Sequence, residues 1–132
     1  MLVLDTSAAL HALAHRPAHP GLLARLRDEE EIVAPHLIDL ELLQALRGLD
    51  RGRRLTSDQV ADVRSDFEAL SITRYAHGGL TDRIWELRHN LTVHDAAYLA
   101  LAEILDCPLV TSDARMAKAS GHRADVEVYE QP

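Results

Sequence analysis

Four acidic residues lie in or beside stretches of the sequence that are otherwise apolar. They are Asp5 in LVLD, Glu41 in HLIDLELLQAL, Asp95 in VHDAAYLALA and Asp113 in PLVTSD. An ionised carboxylate close to a low-dielectric interior is unfavourable unless it is paired with a cation or coordinates a metal. We therefore expect these four side chains to meet in one pocket and to share a cation there.

The chemistry that such a pocket supports is metal-assisted hydrolysis of a phosphodiester bond. Carboxylate oxygens with few nearby histidines favour Mg²⁺ or Mn²⁺, which keep several waters and bind substrate phosphate in their remaining positions. Such an ion, often with a second one about 4 Å away, lowers the pKa of water and stabilises the attacking and leaving oxygens. The predicted metal ligands are Asp5, Glu41, Asp95 and Asp113.

Hydroxyl residues lie beside two of these acids. Thr6 and Ser7 follow Asp5 directly, and Thr111 lies two residues before Asp113. A hydroxyl in such a place can hydrogen bond to a carboxylate or to a water held near it. Helix capping explains Ser7 equally well, whereas Thr111 ends an apolar strand, and we expect it to orient the ligands.

Each acid also has a purely structural interpretation. Asp5 and Asp113 can cap helices, and Asp95 in a first helical turn is favoured by the helix dipole. Glu41 is harder to explain in this way, because leucine and isoleucine residues surround it. We prefer Glu41 to its neighbour Asp39 as the ligand from this segment.

Short apolar runs rich in branched side chains alternate along the chain with segments of helical spacing. Strands are predicted at residues 2–5, 32–34, 72–75 and 109–111, with an edge strand at 126–129. Helices are predicted over residues 8–14, 21–30, 36–47, 58–70, 80–89, 95–106 and 113–119. This alternation predicts an α/β fold, with a mainly parallel sheet of four to five strands covered by helices on both faces. Ligands of such sheets bind beyond the carboxyl ends of the strands, where Asp5 and Asp113 follow directly on theirs.

Length, cysteine content and charge limit the function classes. A chain of 132 residues predicts a single domain over residues 1–132. The one cysteine, Cys107, cannot form an internal disulfide, which favours a reducing cytoplasm, and no apolar run is long enough to cross a bilayer. The formal charge of −7 argues against nucleic-acid binding, but two divalent cations add four positive charges and bring it to −3.

Taken together, these motifs resemble a PIN-domain ribonuclease, and more narrowly the VapC type, the toxin half of bacterial toxin–antitoxin pairs. The resemblance rests on LVLDTSAAL, IDLELLQAL, HDAAYLALA and LVTSDARMAKASG, which occur in the family's order and approximate spacing. It implies a three-layer α/β/α sandwich, Mg²⁺- or Mn²⁺-dependent endoribonuclease activity, inhibition by a cognate antitoxin, and frequent homodimers. In the family's terms the acidic quartet falls on Asp5, Glu41, Asp95 and Asp113, with Thr6 or Ser7 and Thr111 as supporting hydroxyls.

The sequence departs from the family pattern after the last acid. Some relatives carry a further acid there, whereas this chain has Ala114, Arg115 and Met116. Asp113 is therefore expected to be a weaker or indirect ligand, which puts a second permanently bound metal in doubt. Arg115 can hold a scissile phosphate or pair with a carboxylate, and the sequence does not separate these two roles.

Two other function classes stay open at the sequence level. A phosphoacceptor signalling module also places acids at strand ends, but it needs a lysine at the site, and the only lysine, Lys118, lies on the last predicted helix. A non-catalytic module that binds an antitoxin or nucleic acid is the other. His11 and His15 have a chelating spacing, but no HExxH motif or Cys-His cluster accompanies them, so zinc is not expected. The basic run at the end of the third predicted helix can contact RNA backbone or an acidic partner, or it can form a solvated surface. It consists of Arg47, Arg51, Arg53 and Arg54.

Overall fold

A five-stranded parallel sheet forms the centre of the protein. The computed structural model describes residues 1–131. Its strands are β1 (Leu2–Leu4), β2 (Ile32–Pro35), β3 (Ile72–Tyr75), β4 (Leu109–Thr111) and β5 (Val126–Val128). The spatial order is β3-β2-β1-β4-β5, and each of the four neighbouring pairs is parallel. The predicted α/β class is confirmed, and the sheet is parallel throughout.

Seven α-helices connect and cover these strands within the described residues. They are α1 (Thr6–Ala14), α2 (Pro20–Arg27), α3 (Ile38–Arg51), α4 (Ser57–Ala69), α5 (Thr81–Glu86), α6 (Val93–Leu105) and α7 (Ala114–Lys118). Helix α6 packs on β1, β2 and β4 and carries α5, whereas α1 contacts β4 and packs against α2, α3 and α4. Helix α7 packs beside β5. No helix in residues 1–131 combines the length and the apolar character that a membrane crossing requires.

The strand order reverses between β1 and β4. From β1 the chain moves through β2 to β3 on one side, and then returns to place β4 and β5 on the other. In open parallel sheets a crevice forms at the carboxyl ends of the strands where the order changes direction. Asp5 follows β1 and lies beside Thr111 at the end of β4, because the Asp5 backbone N–H donates to the Val110 carbonyl at 3.0 Å. Asp5 and Thr111 therefore lie at the edge of the sheet where parallel α/β folds usually bind their ligands.

Helix α6 closes the crevice from the side of the sheet on which it packs. Its residues 96–102 are all buried, and most of them are alanine or leucine. A helix that is apolar on all sides is a buried helix, and alanine allows it to approach the sheet closely. Asp95 lies immediately before this buried run, so the packing of α6 fixes the position of its carboxylate at the rim.

Three predictions about the helices are wrong in detail. Helix α3 does not end at residue 47 but continues to Arg51 with Gly52 as its cap residue, so Gly48 lies inside the helix at a cost of about 1 kcal/mol. Helix α6 begins at Val93 with Thr92 as its cap, so that Asp95 is its third residue and not its start. The predicted helix over 80–89 is a 3₁₀ turn at Gly78–Leu80 followed by the short α5.

Candidate active site

Asp5 is the most buried of the four acids. Only 5% of the residue is exposed, and its Oδ2 accepts hydrogen bonds from Ser7 Oγ at 2.5 Å and from Thr111 Oγ1 at 2.7 Å. Burial raises the pKa of Asp5 to about 6, the two hydroxyl hydrogen bonds act in the opposite direction, and the nearby charges of Asp95 and Glu41 raise it further. Asp5 occupies the cap position of α1, but its side chain makes no capping hydrogen bond. The capping explanation for Asp5 is therefore wrong.

The two hydroxyls that hold Asp5 also fix the segment after β4. Ser7 Oγ accepts from the backbone N–H of Ser112 at 3.0 Å, and the fully buried Thr111 Oγ1 accepts from the backbone N–H of Asp113 at 3.0 Å. Both hydroxyls thus donate to a carboxylate and accept from the backbone. This pairing connects the start of α1 to the loop that carries Asp113.

Glu41 is held by two further hydroxyls. Its Oε1 accepts from Thr6 Oγ1 at 3.0 Å and from the Tyr98 hydroxyl at 2.7 Å, and the two hydroxyls are themselves 2.7 Å apart. Tyr98 is fully buried, and burial raises the pKa of its phenol. The other carboxylate oxygen, Oε2, lies 3.8 Å from His94 Nδ1. One oxygen of Glu41 is therefore fixed, and the other faces the exposed His94.

Two of the leucines near Glu41 in the chain are exposed to solvent and not buried around it. Leu40 is 73% exposed and Leu43 is 47% exposed, and both belong to the same helix turn as Glu41. The rival Asp39 is engaged elsewhere, because its carboxylate pairs with the Arg74 guanidinium through two bonds of 2.8 Å. Glu41 is consequently the acid that α3 contributes to the crevice.

Asp95 and Asp113 lie at the starts of helices α6 and α7. The Asp95 backbone N–H donates to Thr92 Oγ1 at 3.1 Å, and Asp113 Oδ1 accepts from the Arg115 backbone N–H at 3.0 Å, which makes Asp113 a genuine helix cap. Burial raises the pKa of Asp95, and the charges of Asp113 and Glu41 raise it further. The guanidinium of Arg115 lowers the pKa of Asp113.

The pKa shifts of Asp5 and Asp95 indicate which acids lie close enough to influence each other. Asp5 interacts with Asp95 and Glu41, and Asp95 interacts with Asp113 and Glu41, so the four predicted ligands form one connected group of charges. Hard carboxylate oxygens of this kind suit a divalent cation such as Mg²⁺ or Mn²⁺. Within residues 1–131, however, no three carboxylate, imidazole or thiolate groups are already arranged as a metal cluster.

Comparison with known proteins agrees with this geometry. The PIN domain family matches residues 2–121. The chain belongs to the PIN domain family. Ribonuclease VapC9 of Mycobacterium tuberculosis is 39% identical over 128 residues, covering 97% of this chain and 98% of that protein. Ribonuclease VapC12 of the same species is 37% identical, again over 97% and 98% of the two chains. Within the PIN domain family the chain therefore belongs to the VapC group.

Solved structures show the same fold. PAE2754 from Pyrobaculum aerophilum is 26% identical and superposes with a TM-score of 0.65, covering 95% of this chain and 82% of that one. The structure of VapBC2 from Rickettsia felis bound to a promoter DNA fragment contains a chain with a TM-score of 0.71 at 14% identity, covering 98% of both. At that low identity the likeness concerns the fold alone. The predicted PIN-like architecture is confirmed.

Two features of this PIN domain were missed at the sequence level. Tyr98 was counted only as part of an apolar run, although an aromatic hydroxyl inside a buried alanine-rich helix requires a partner, and that partner is Glu41. Leu80, Ile84 and Trp85 have a helical spacing that would suit one apolar stripe facing the core. The two aliphatic residues are buried, but Trp85 is 63% exposed and stacks on Arg88, whose guanidinium carbon lies 4.5 Å from the ring centre.

Three of the histidines, His11, His15 and His19, form a cluster of their own, whereas His94 lies beside Glu41. The rings of His11 and His15 lie 5.4 Å apart, and those of His11 and His19 lie 6.2 Å apart, in edge-to-face contacts. His11 is buried, and its Nδ1 lies 3.0 Å from Ser112 Oγ. No three of these side chains form a metal cluster within the part of the chain that the structure describes.

Proposed function

We propose that the protein is a divalent-metal-dependent endoribonuclease that hydrolyses RNA phosphodiester bonds, and that it is the toxin component of a toxin–antitoxin pair. The observation that supports the proposal is that the charges of Asp95 and Glu41 raise the pKa of Asp5, and those of Asp113 and Glu41 raise the pKa of Asp95, at the edge of the sheet where β1 and β4 end. Membership of the VapC group, whose relatives are named ribonucleases, supports the same reaction. We treat residues 1–132 as one nuclease domain.

The four acids are proposed to hold Mg²⁺ or Mn²⁺. A divalent ion bound there supplies an activated water and neutralises charge on the phosphate. Ser7 and Thr111 bind Asp5 Oδ2, and Thr6 and Tyr98 bind Glu41 Oε1, so one oxygen of each carboxylate is fixed and the other is available. Because these partners are neutral hydroxyls, they orient the two carboxylates without placing a positive charge beside them.

Two features support the partners in this proposal. The RNA substrate accounts for a crevice that is acidic in the free protein and turns attractive to phosphate only with a cation bound. Exposed apolar side chains at Leu40, Leu43 and Val93 suit a protein partner, for which we propose the cognate antitoxin or a second copy of the chain. We expect the enzyme to act in the cytoplasm, where its RNA substrate is found.

The phosphoacceptor alternative lacks support from a suitable lysine. Lys118 is the last residue of α7 and is exposed, and its ammonium makes no ion pair with the acids of the crevice within the described residues. A non-catalytic binding module would retain the fold but cleave nothing. It is therefore distinguished from the nuclease by the activity experiment alone.

The experiment is digestion of total RNA with and without Mg²⁺ or Mn²⁺, followed by mapping of the cleaved ends. Cleavage is expected only with metal, and Asp5→Asn and Glu41→Gln should reduce the rate by at least about 100-fold, since loss of a ligand exceeds the cost of losing a group that orients one. Asp39→Asn is the matched control, because Asp39 lies in the same helix turn and pairs with Arg74 instead. Metal-independent cleavage, or equal rates for Glu41→Gln and wild type, would reject the proposal.

A further inference from the structure

Asp113 differs from the other acids of the crevice in having both carboxylate oxygens bound to one cation. Its Oδ1 accepts from Arg115 Nε at 3.0 Å, and its Oδ2 accepts from Arg115 Nη2 at 2.7 Å. The backbone N–H of Arg115 also donates to Oδ1 at 3.0 Å. This is the parallel, two-bond geometry in which a guanidinium pairs most specifically with a carboxylate.

The acids held by hydroxyls leave an oxygen available. Asp5 Oδ1 and Glu41 Oε2 accept no hydrogen bond within residues 1–131, because the partners of both side chains converge on the other oxygen. The charge of Arg115 also reaches Asp95. Among these carboxylates, a protein cation therefore neutralises the one at the end of β4.

We propose that Arg115 is the resident counter-ion of the metal-free crevice, and that it competes with the divalent cation for Asp113. This inference rests on the proposed function, since it assumes that the crevice binds a metal ion. The guanidinium faces both oxygens of Asp113, so coordination of a metal ion by that same face of the carboxylate requires Arg115 to turn away. The Arg115 side chain is 87% exposed, and nothing packed around it prevents that movement.

The consequence concerns the affinity for the metal. The metal ion binds only those molecules in which Asp113 is not paired with Arg115. Because these are a fraction of the whole, the apparent affinity for the metal is lower. Arg115 thereby reduces the mutual repulsion of the acids when no metal is present.

The test measures Mn²⁺ binding directly, by the electron paramagnetic resonance signal of the free ion, at low salt and without RNA. Arg115→Gln is expected to bind Mn²⁺ about two- to fivefold more tightly than wild type, which is the range for removal of an exposed ion pair. Arg115→Lys keeps the charge but loses the two-bond geometry, so its affinity should fall between the two. The difference should shrink in high salt, which screens exposed charges.

Arg123→Gln is the matched control, because Arg123 is also exposed, at 79%, and lies near Glu103 at 3.9 Å, away from the crevice. It should bind Mn²⁺ as wild type does. In an Asp113→Asn background, Arg115→Gln should have a smaller effect than in wild type, since the pair is already lost and only the charge of Arg115 near Asp95 is removed. Equal or weaker Mn²⁺ binding by Arg115→Gln, or an equal gain in Arg123→Gln, would overturn the proposal.

The outcomes separate this inference from the proposed function. If Asp5→Asn removes Mn²⁺ binding while Arg115→Gln leaves it unchanged, the metal site stands and the role of Arg115 is rejected. If wild type itself does not bind Mn²⁺, or binds it as Asp5→Asn does, the metal site proposed above fails and the competition fails with it.

Discussion

The two pairs of acids in the crevice are held in different ways. Asp5 and Glu41, which we call the hydroxyl-held acids, receive hydrogen bonds from residues far away in the chain, such as Thr111 and Tyr98. Asp95 and Asp113, the helix-start acids, lie in segments whose hydrogen bonds run to residues two or three positions away. The hydroxyl-held acids are thus positioned by the tertiary fold, and the helix-start acids by their own helices.

This difference gives Asp5 and Asp113 pKa values that are shifted in opposite directions. Neutral hydroxyls orient a carboxylate without cancelling its charge, so burial is free to raise the pKa of Asp5 to about 6. A guanidinium cancels the charge of its partner and lowers the pKa of Asp113. The crevice therefore combines a buried acid whose charge is unfavourable, Asp5, with an exposed ion pair between Asp113 and Arg115.

The largest expected effect is a pH dependence of stability that originates in Asp5. Its folded-state pKa of about 6 lies above its ordinary value of 3.8, so the folded state binds a proton more tightly, and this contribution is full below pH 4 and is lost as the pH rises through 6. The shift of about two units corresponds to roughly 3 kcal/mol in the free energy of unfolding. Urea titrations of metal-free protein between pH 4 and 7 should show a steeper decline for wild type than for Asp5→Asn.

Parallel pH profiles of wild type and Asp5→Asn would contradict this assignment. Asp113 cannot produce the same trend, because its pKa is lowered, and its contribution is present above pH 3.8 and lost only below it. The direction of the pH effect therefore distinguishes these two acids.

The second effect concerns the hydroxyl of Thr111. Thr111→Val keeps the shape but leaves the backbone N–H of Asp113 without its acceptor and Asp5 with one donor fewer, in a fully buried place. The free energy of unfolding should fall by about 1–3 kcal/mol in urea denaturation. Thr73→Val, at an exposed position of β3, is the control and should change stability little. Similar losses in both variants would show that the hydroxyl of Thr111 has no special role.

The third effect is a smaller loss at Tyr98. Tyr98→Phe removes the hydroxyl that donates to Glu41, while Thr6 remains as a second donor to the same oxygen. We expect a loss of about 1 kcal/mol in thermal or urea unfolding. Tyr75→Phe, at a half-buried side chain on β3, provides the comparison. No difference between the two variants would remove Tyr98 from the set of positioning residues.

The smallest effects distinguish the two helix-start acids from each other. In metal-free protein at low salt, Asp95→Asn should raise the melting temperature because it relieves repulsion, whereas Asp113→Asn should lower it because it breaks the pair with Arg115. Each change should be less than about 1 kcal/mol, because both groups are partly exposed to water. Millimolar Mn²⁺ should then stabilise wild type more than Asp95→Asn. Shifts of the same sign in the two metal-free variants would mean that they do not differ in charge environment.

Much of the fold could be predicted because its signals are local. Three of the five strands, β1, β2 and β4, are short apolar runs, and each of the five predicted segments became a strand of the sheet. The end of α3 could not be predicted, since Gly48 is an ordinary stop signal but lies inside the helix, which ends at Arg51. The exposure of Trp85 could not be predicted either, because helical spacing indicates an apolar stripe but not which side of a short helix faces the core.

The sequence by itself determined the four acids, the strand ends that two of them follow, and the class of ion that their oxygens suit. These are properties of residue type and of neighbours in the chain, and hydrophobic burial then allows few ways to assemble the strands. Only the tertiary structure decided that Thr111 holds Asp5 and that Tyr98 holds Glu41. Such partners are chosen by hydrogen-bond geometry across distances of ångströms between segments up to 106 positions apart, and no pattern of adjacent residues encodes that choice.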